Sequence, residues 1–262
     1  MEPIRSRAVV GAPTFACFVS VLLGKIRLMQ HWQRFDLDLP DDFPVAEIDA
    51  LHAHLSDYVD DGNKLPPAWR EWAAALNGLI YRFRACDEHG SSVTVALGDT
   101  SPPQPKRYEQ ERDLFAFYAE GVSALECFYY GLYFVGTHAN AAAFPLSVNP
   151  RDLTPTKVTP IFETAYAGEQ LTKTLRAVVD DVEFKAWSDV RNYLSHRGAP
   201  GRTHYEGGGP PSGVEWDLGA RGTDPADELT PARLTARREW LGQTVCKITT
   251  DALAFAQANF SR

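Results

Sequence analysis

The residues best suited to chemistry lie in one short run, Arg191-Asn192-Tyr193-Leu194-Ser195-His196. An arginine brings a permanent positive charge on a planar donor fork that matches phosphate oxygens. A histidine takes and returns a proton near neutral pH. Together they are a minimal set for cleaving RNA without a metal. The imidazole abstracts the 2′-hydroxyl proton, and the guanidinium stabilises charge on the phosphorane. Five residues turn the chain by about 140° around a helix, so a strict helix does not align the pair. Placing His196 at a fraying helix end, just before Gly198, lets the ring turn back toward Arg191.

Other residues surround this pair in sequence. Asn192 is placed to orient either member. Tyr193, Ser195, Arg197 and Arg202 are candidate phosphate-binding groups. Between Asp189 and Glu206 there is no acid, while Arg191, Arg197 and Arg202 fall there with His196 and His204. Trp187 and Tyr205 are aromatic enough to stack on bases, although Trp187 also suits a core. Glu126 is the one charge from Gly121 to Ala143. A carboxylate there needs a partner if buried, and pairing with Arg191 would orient the guanidinium; facing solvent is its other reading. Arg233, Arg237 and Arg238 form a second basic cluster, which also reads as solvated arginines.

The spacing is not unique. Arg84-Ala85-Cys86-Asp87-Glu88-His89 repeats it, also before a glycine. Alanine follows that arginine, and Asp87 and Glu88 would repel a phosphate, so it is read as a decoy. A purely structural account of Arg191 and His196 also stands: cations in the last turn of a helix are favoured by its dipole and by unpaired carbonyls.

The elements that must carry these residues are helical. Val45, Ile48, Leu51, Leu55 and Tyr58 have amphipathic spacing. Pro67 opens a second helix, with Trp69, Trp72, Leu76, Leu79, Ile80 and Phe83 on one face, expected to run to about Arg84. Gly90 is expected to stop it, with a short strand in Ser91–Leu97. A long helix from about Tyr108 to Thr137 turns apolar all round in its second half, which suits the middle of a bundle. Pro145, Pro150, Pro155 and Pro160 read as a loop. Helix resumes from about Ile161 to His196, with a break near Asp180 and Asp181. Two short strand-like runs around GGGPPSG read as a hairpin. The last helix, from Thr230 to Phe260, begins with a Thr cap and Pro231. The glycine run lacks the Lys-Ser/Thr and helix of a phosphate loop. No strand–helix alternation points to a doubly wound sheet. The expected fold is therefore all-α, an antiparallel helical bundle with a small β-hairpin insertion and an N-terminal helical extension.

The 262 residues allow one large domain or a core with an added region. Residues 1–28 read as an apolar leader, 29–100 as the N-terminal helical extension, and 107–262 as the bundle, with the proline-rich stretch 99–106 as the boundary. Residues 8–24 are uncharged and leave three readings open: an artefactual or disordered leader ahead of Met29, a membrane-associated segment, or an ordered part of the fold. The formal charge of −8 argues against a general nucleic-acid coat. Four scattered cysteines and the lone Cys86/His89 pair supply no four-ligand metal set, so no metal or cofactor is expected.

An arginine, a polar residue, then a histidine at a helix end inside an all-α bundle resembles the HEPN superfamily, whose pattern is Arg-x4-6-His. The resemblance covers at most residues 107–262, and its specific part is the six-residue run. It implies a metal-independent endoribonuclease with Arg191 and His196 as catalytic residues. It further implies a homodimer with two Arg/His pairs facing one cleft, RNA as substrate, and a toxin or phage-defence role in the cytoplasm with an antitoxin or defence-system partner. A non-catalytic HEPN-like module for dimerisation or for nucleotide or partner binding is the alternative. The residue two past His196 is Gly198, which departs from the branch carrying His-x-Tyr, so that branch's nucleotide-modifying partner is not implied.

Overall fold

The computed structural model describes residues 38–59, 66–98, 106–204, 214–217 and 229–260. The expectations for the leader at 1–28 and for Tyr205 lie outside the described residues. Seven α-helices occur among the described residues: α1 (Val45–Val59), α2 (Pro67–Gly98), α3 (Arg107–Ala139), α4 (Pro155–Tyr166), α5 (Gln170–Asp180), α6 (Val182–His196) and α7 (Pro231–Asn259). Two short strands, β1 (Gly201–His204) and β2 (Val214–Asp217), pair antiparallel, with Arg202 opposite Trp216. The fold is all-α in character. No described helix is long and apolar enough to cross a membrane.

The central element is α3. From Gly121 to Thr137 nearly every turn is buried on most sides, as expected for a helix hydrophobic all round. Glycines on it receive aromatic rings from its neighbours. A Cβ on Gly121 would stand 2.2 Å from the Trp187 ring, and one on Gly131 2.9 Å from Trp72. On Gly136 it would stand 2.7 Å from Phe144. Two tyrosine hydroxyls of α3 are satisfied by backbone: Tyr129 donates to the Leu175 carbonyl at 2.9 Å and Tyr133 to the Pro145 carbonyl at 2.9 Å.

The α2 helix corrects the expected end near Arg84 and the expected strand. It continues to Gly98. Cys86, Gly90 and Val93 are buried on one face, at spacings of four and three residues. Gly90 is a close-approach site: a Cβ there would lie 2.9 Å from the Phe117 ring of α3. The β-branched residues that suggested a strand are held helical by this tertiary packing, which overrides modest propensity costs.

The boundary at 99–106 does not separate two cores. Among the described helices the most extensive pairing is α2 along α3, and α1 packs on α7. One buried cluster runs from Phe43 to Phe260, so the helices before residue 99 are walls of the same bundle and not an extension. The proline loop is also shorter than expected. Pro155 opens α4 as its first helical residue, where its missing N–H costs nothing, and Pro160 lies inside that helix. The break at Asp180–Asp181 is present. At the start of α7, Thr230 accepts a hydrogen bond from the Arg233 amide at 3.2 Å.

Candidate functional site

Helix α6 carries the Arg191/His196 run and is anchored at its start. Asp181 caps it, its Oδ1 accepting from the Glu183 amide at 2.8 Å. The other carboxylate oxygen accepts from the Trp240 indole of α7 at 3.1 Å. Glu183 then takes Arg233 and faces the fully buried Arg237 at 3.5 Å. Arg237 also donates to the Tyr118 hydroxyl and lies over that ring. One turn further on, Trp187 is buried between Phe117, Tyr118 and Gly121 of α3. Trp187 against Phe117–Gly121 and Arg191 against Glu126 climb both helices in the same order, so α6 lies alongside α3 in the same direction.

The pairing of Glu126 with Arg191 forms. Arg191 Nη2 donates to Glu126 Oε1 at 3.1 Å, with the two side chains 30% and 37% exposed. The Arg191 Nε is buried without a hydrogen-bond partner. The carboxylate thus holds the guanidinium by one nitrogen at the rim of the α3–α6 seam. Arg191 lies seven residues after Phe184 and four after Trp187, on the side of α6 that faces α3.

His196 sits elsewhere on the same helix. It is exposed in the last turn, and α6 stays regular through it, ending where the Arg197 amide bonds the Tyr193 carbonyl at 2.8 Å. The helix does not fray before the histidine as expected. Its ring shares the exposed stripe of Lys185, Asp189 and Asn192, about 140° from Arg191. Among the described residues no hydrogen bond joins the two members of the pair.

Ser195 and Arg197 are exposed at the helix end, free to meet a ligand. Tyr193 is half-buried, and its hydroxyl would stand 3.2 Å from a Cβ on Gly198, so it covers the exit turn. Arg202 is on β1, in register with the buried Trp216. Trp187 is only 1% exposed and is core, not a base-stacking platform.

The decoy run is occupied by acids in mid-helix: Arg84 pairs with Glu88 at 2.6 Å and His89 with Asp113 at 3.2 Å. The second basic cluster also turns inward. Arg233 and Arg237 share Glu183, and Arg238 binds Asp42 at 2.8 Å and Asp87 at 3.1 Å. These arginines are structural cations, not a solvated patch.

Spacing arguments pass over Arg82. It pairs with Glu120 of α3 at 2.7 Å while 41% exposed. The signal for it is the apolar face at Leu76, Leu79, Ile80 and Phe83, which leaves Tyr81 and Arg82 at the rim of α2. Among the described residues no group of three or more His, Cys, Asp or Glu side chains is arranged to hold a metal ion. Comparison with protein-family models, with curated proteins and with solved structures gave no match to this chain.

Proposed function

We propose that the chain is a HEPN-like, metal-independent endoribonuclease. In this reading Arg191 binds the scissile phosphate, His196 is the general acid/base, and Asn192 orients one of them. The observation that carries the reading is the Arg191–Glu126 pair. The one carboxylate between Gly121 and Ala143 holds one nitrogen of this guanidinium at the α3–α6 rim, and the exposed His196 lies about 140° further round α6. The Nη1 edge makes no hydrogen bond among the described residues. A regular helix sets the two Cα atoms about 9 Å apart, a gap that an arginine and an imidazole bridge onto one phosphodiester lying across the helix end.

The step balances without a co-reactant. His196 takes the 2′-hydroxyl proton, the 2′-oxygen attacks phosphorus, the bond from phosphorus to the 5′-oxygen breaks, and the 5′-oxygen leaves with the proton that His196 returns. The products are a 2′,3′-cyclic phosphate and a 5′-hydroxyl. The same reading includes a cytoplasmic homodimer acting as a toxin or phage-defence effector, with an antitoxin or defence partner.

One observation favours a second reading, a non-catalytic HEPN-like module that dimerises or binds a nucleotide or partner. Arg191 already has a partner across a helix seam, and His196 departs from the opposite side of α6. An RNA cleavage assay separates the two. Under the first reading, wild type cuts RNA equally well in EDTA and leaves cyclic phosphate ends, and Arg191→Ala and His196→Ala abolish cutting. Under the second, RNA stays intact with wild type and variants alike. Activity unchanged in His196→Ala sinks the enzyme assignment.

A further inference from the structure

The outward strip of α3 is flanked by two arginines. Glu120 and Glu126 are six residues apart, so they lie about 120° apart around α3 and about 9 Å along it. Glu126 reaches toward α6 and holds Arg191; Glu120 reaches toward α2 and holds Arg82. Between them the helix presents half-buried Ala119 and Ser123. The two pairs are electrostatic neighbours. Burial raises the Cys127 thiol, while Arg82 draws it down and Glu126 and Glu120 push it up, so this one sulfur feels both sides of the strip.

Arg82 is built to take a further ligand. Its Nη1 makes both bonds to Glu120, at 2.8 and 2.7 Å, which leaves Nε and Nη2 without hydrogen bonds among the described residues. Beside it Tyr81 is 58% exposed, with the Arg82 guanidinium carbon 5.7 Å from its ring centroid. An exposed aromatic face next to a guanidinium is the pairing that single-stranded nucleic acid uses: a base stacks on the ring and the cation meets the backbone.

We propose that Tyr81 and Arg82 form a second nucleotide subsite for single-stranded RNA, Tyr81 stacking on a base and Arg82 contacting a phosphate of the strand that crosses α3 from Arg191. The proposal rests on the RNA reading above. Each arginine carries its own neutralising carboxylate, so the subsite contributes contact and register, and long-range attraction stays small, in keeping with a chain of net charge −8.

The test is binding of a fluorescein-labelled oligoadenylate to the full chain carrying His196→Ala, which keeps the probe intact, followed by anisotropy across a salt series. Tyr81→Ala weakens binding by about 5- to 100-fold and Tyr81→Phe restores it, because any flat ring stacks. Tyr81 is more than half exposed, so its truncation leaves the fold unchanged, which circular dichroism checks. Arg82→Gln lowers the salt slope by about 0.7, the contribution of one phosphate contact on a single strand. The same sequence as a duplex is insensitive to Tyr81→Ala, since its bases are already stacked. Parent-like binding by both variants overturns the subsite while leaving the RNA reading intact. Equal losses on single strand and duplex overturn the stacking role. An inert parent overturns the RNA reading and the subsite with it.

Discussion

Gly121→Ala tests the packing that holds the candidate site in place. The added methyl carbon would lie 2.2, 2.5 and 3.0 Å from three carbons of the Trp187 ring, against an ordinary contact of 3.4–4 Å. The ring is 1% exposed and wedged against Phe117 and Tyr118, so it has no free space into which to rotate. Relief requires α6 to back away from α3 by roughly 1 Å, at the upper end of the usual overpacking cost, about 3 kcal/mol. Alanine returns about 1 kcal/mol of helix propensity over glycine. The net loss is about 2 kcal/mol, or a fall in melting temperature of roughly 4–8 °C for a chain of this size. Chemical denaturation measures it directly. Gly168→Ala is the control, because a Cβ there meets nothing within 4 Å, and it should be neutral or slightly stabilising. Trp187→Phe added to Gly121→Ala should recover part of the loss, since the two changes share one contact. A Gly121→Ala protein within about 0.5 kcal/mol of wild type, the range of an ordinary surface substitution, would refute the reasoning.

Two further outcomes follow from buried groups. His138, in the last turn of α3, packs against Tyr58 and Phe260 and its Nε2 has no hydrogen-bond partner. Burial lowers its pKa below the ordinary 6.5, so protons favour the unfolded chain: stability is full above about pH 6.5 and falls as pH drops through the folded pKa. Melts at pH 7.5 and 5.5 should therefore differ less in His138→Asn than in wild type, and an identical difference excludes His138 as the cause. Arg237→Ala removes a fully buried cation and leaves Glu183 with Arg233 alone. Breaking a buried ionic network of this kind costs about 3 kcal/mol or more, and a urea midpoint unchanged from wild type would show that Arg237 contributes nothing.

The fold was legible where a helix answers to its own sequence. Helix α7 shows a Thr-Pro start, and the apolar run of α3 announces a central element. The second half of α2 was not legible, because glycine and β-branched residues have opposite meanings on the two sides of a packing decision. At Gly90 the absent Cβ admits Phe117, and no local pattern encodes a ring that lies on another helix. The same distinction runs through the candidate site. Glu126 stands out as one charge in an apolar run, so a cationic partner could be anticipated from the sequence. Arg237 sits four residues after Arg233 and reads as one more surface arginine, since Glu183 and Tyr118, which accompany it in the core, come from distant helices. The orientation of His196 was likewise beyond spacing arguments: it depended on whether the last turn stayed helical, and the Arg197 and Gly198 amides, both bonded to the Tyr193 carbonyl, keep it so.

The ring of Trp187 seated on Gly121 lies one helical turn from Arg191, and this fixes how the rim at Glu126 can be regulated. A notch filled by a rigid bicyclic side chain acts as a detent: α6 either stays in register or must lift the whole indole clear before it can slide. Graded sliding of the helix is therefore closed to any effector. Under the proposed function, control of the Arg191 guanidinium comes through ligands that compete at its open edge, while the register of α6 on α3 stays constant.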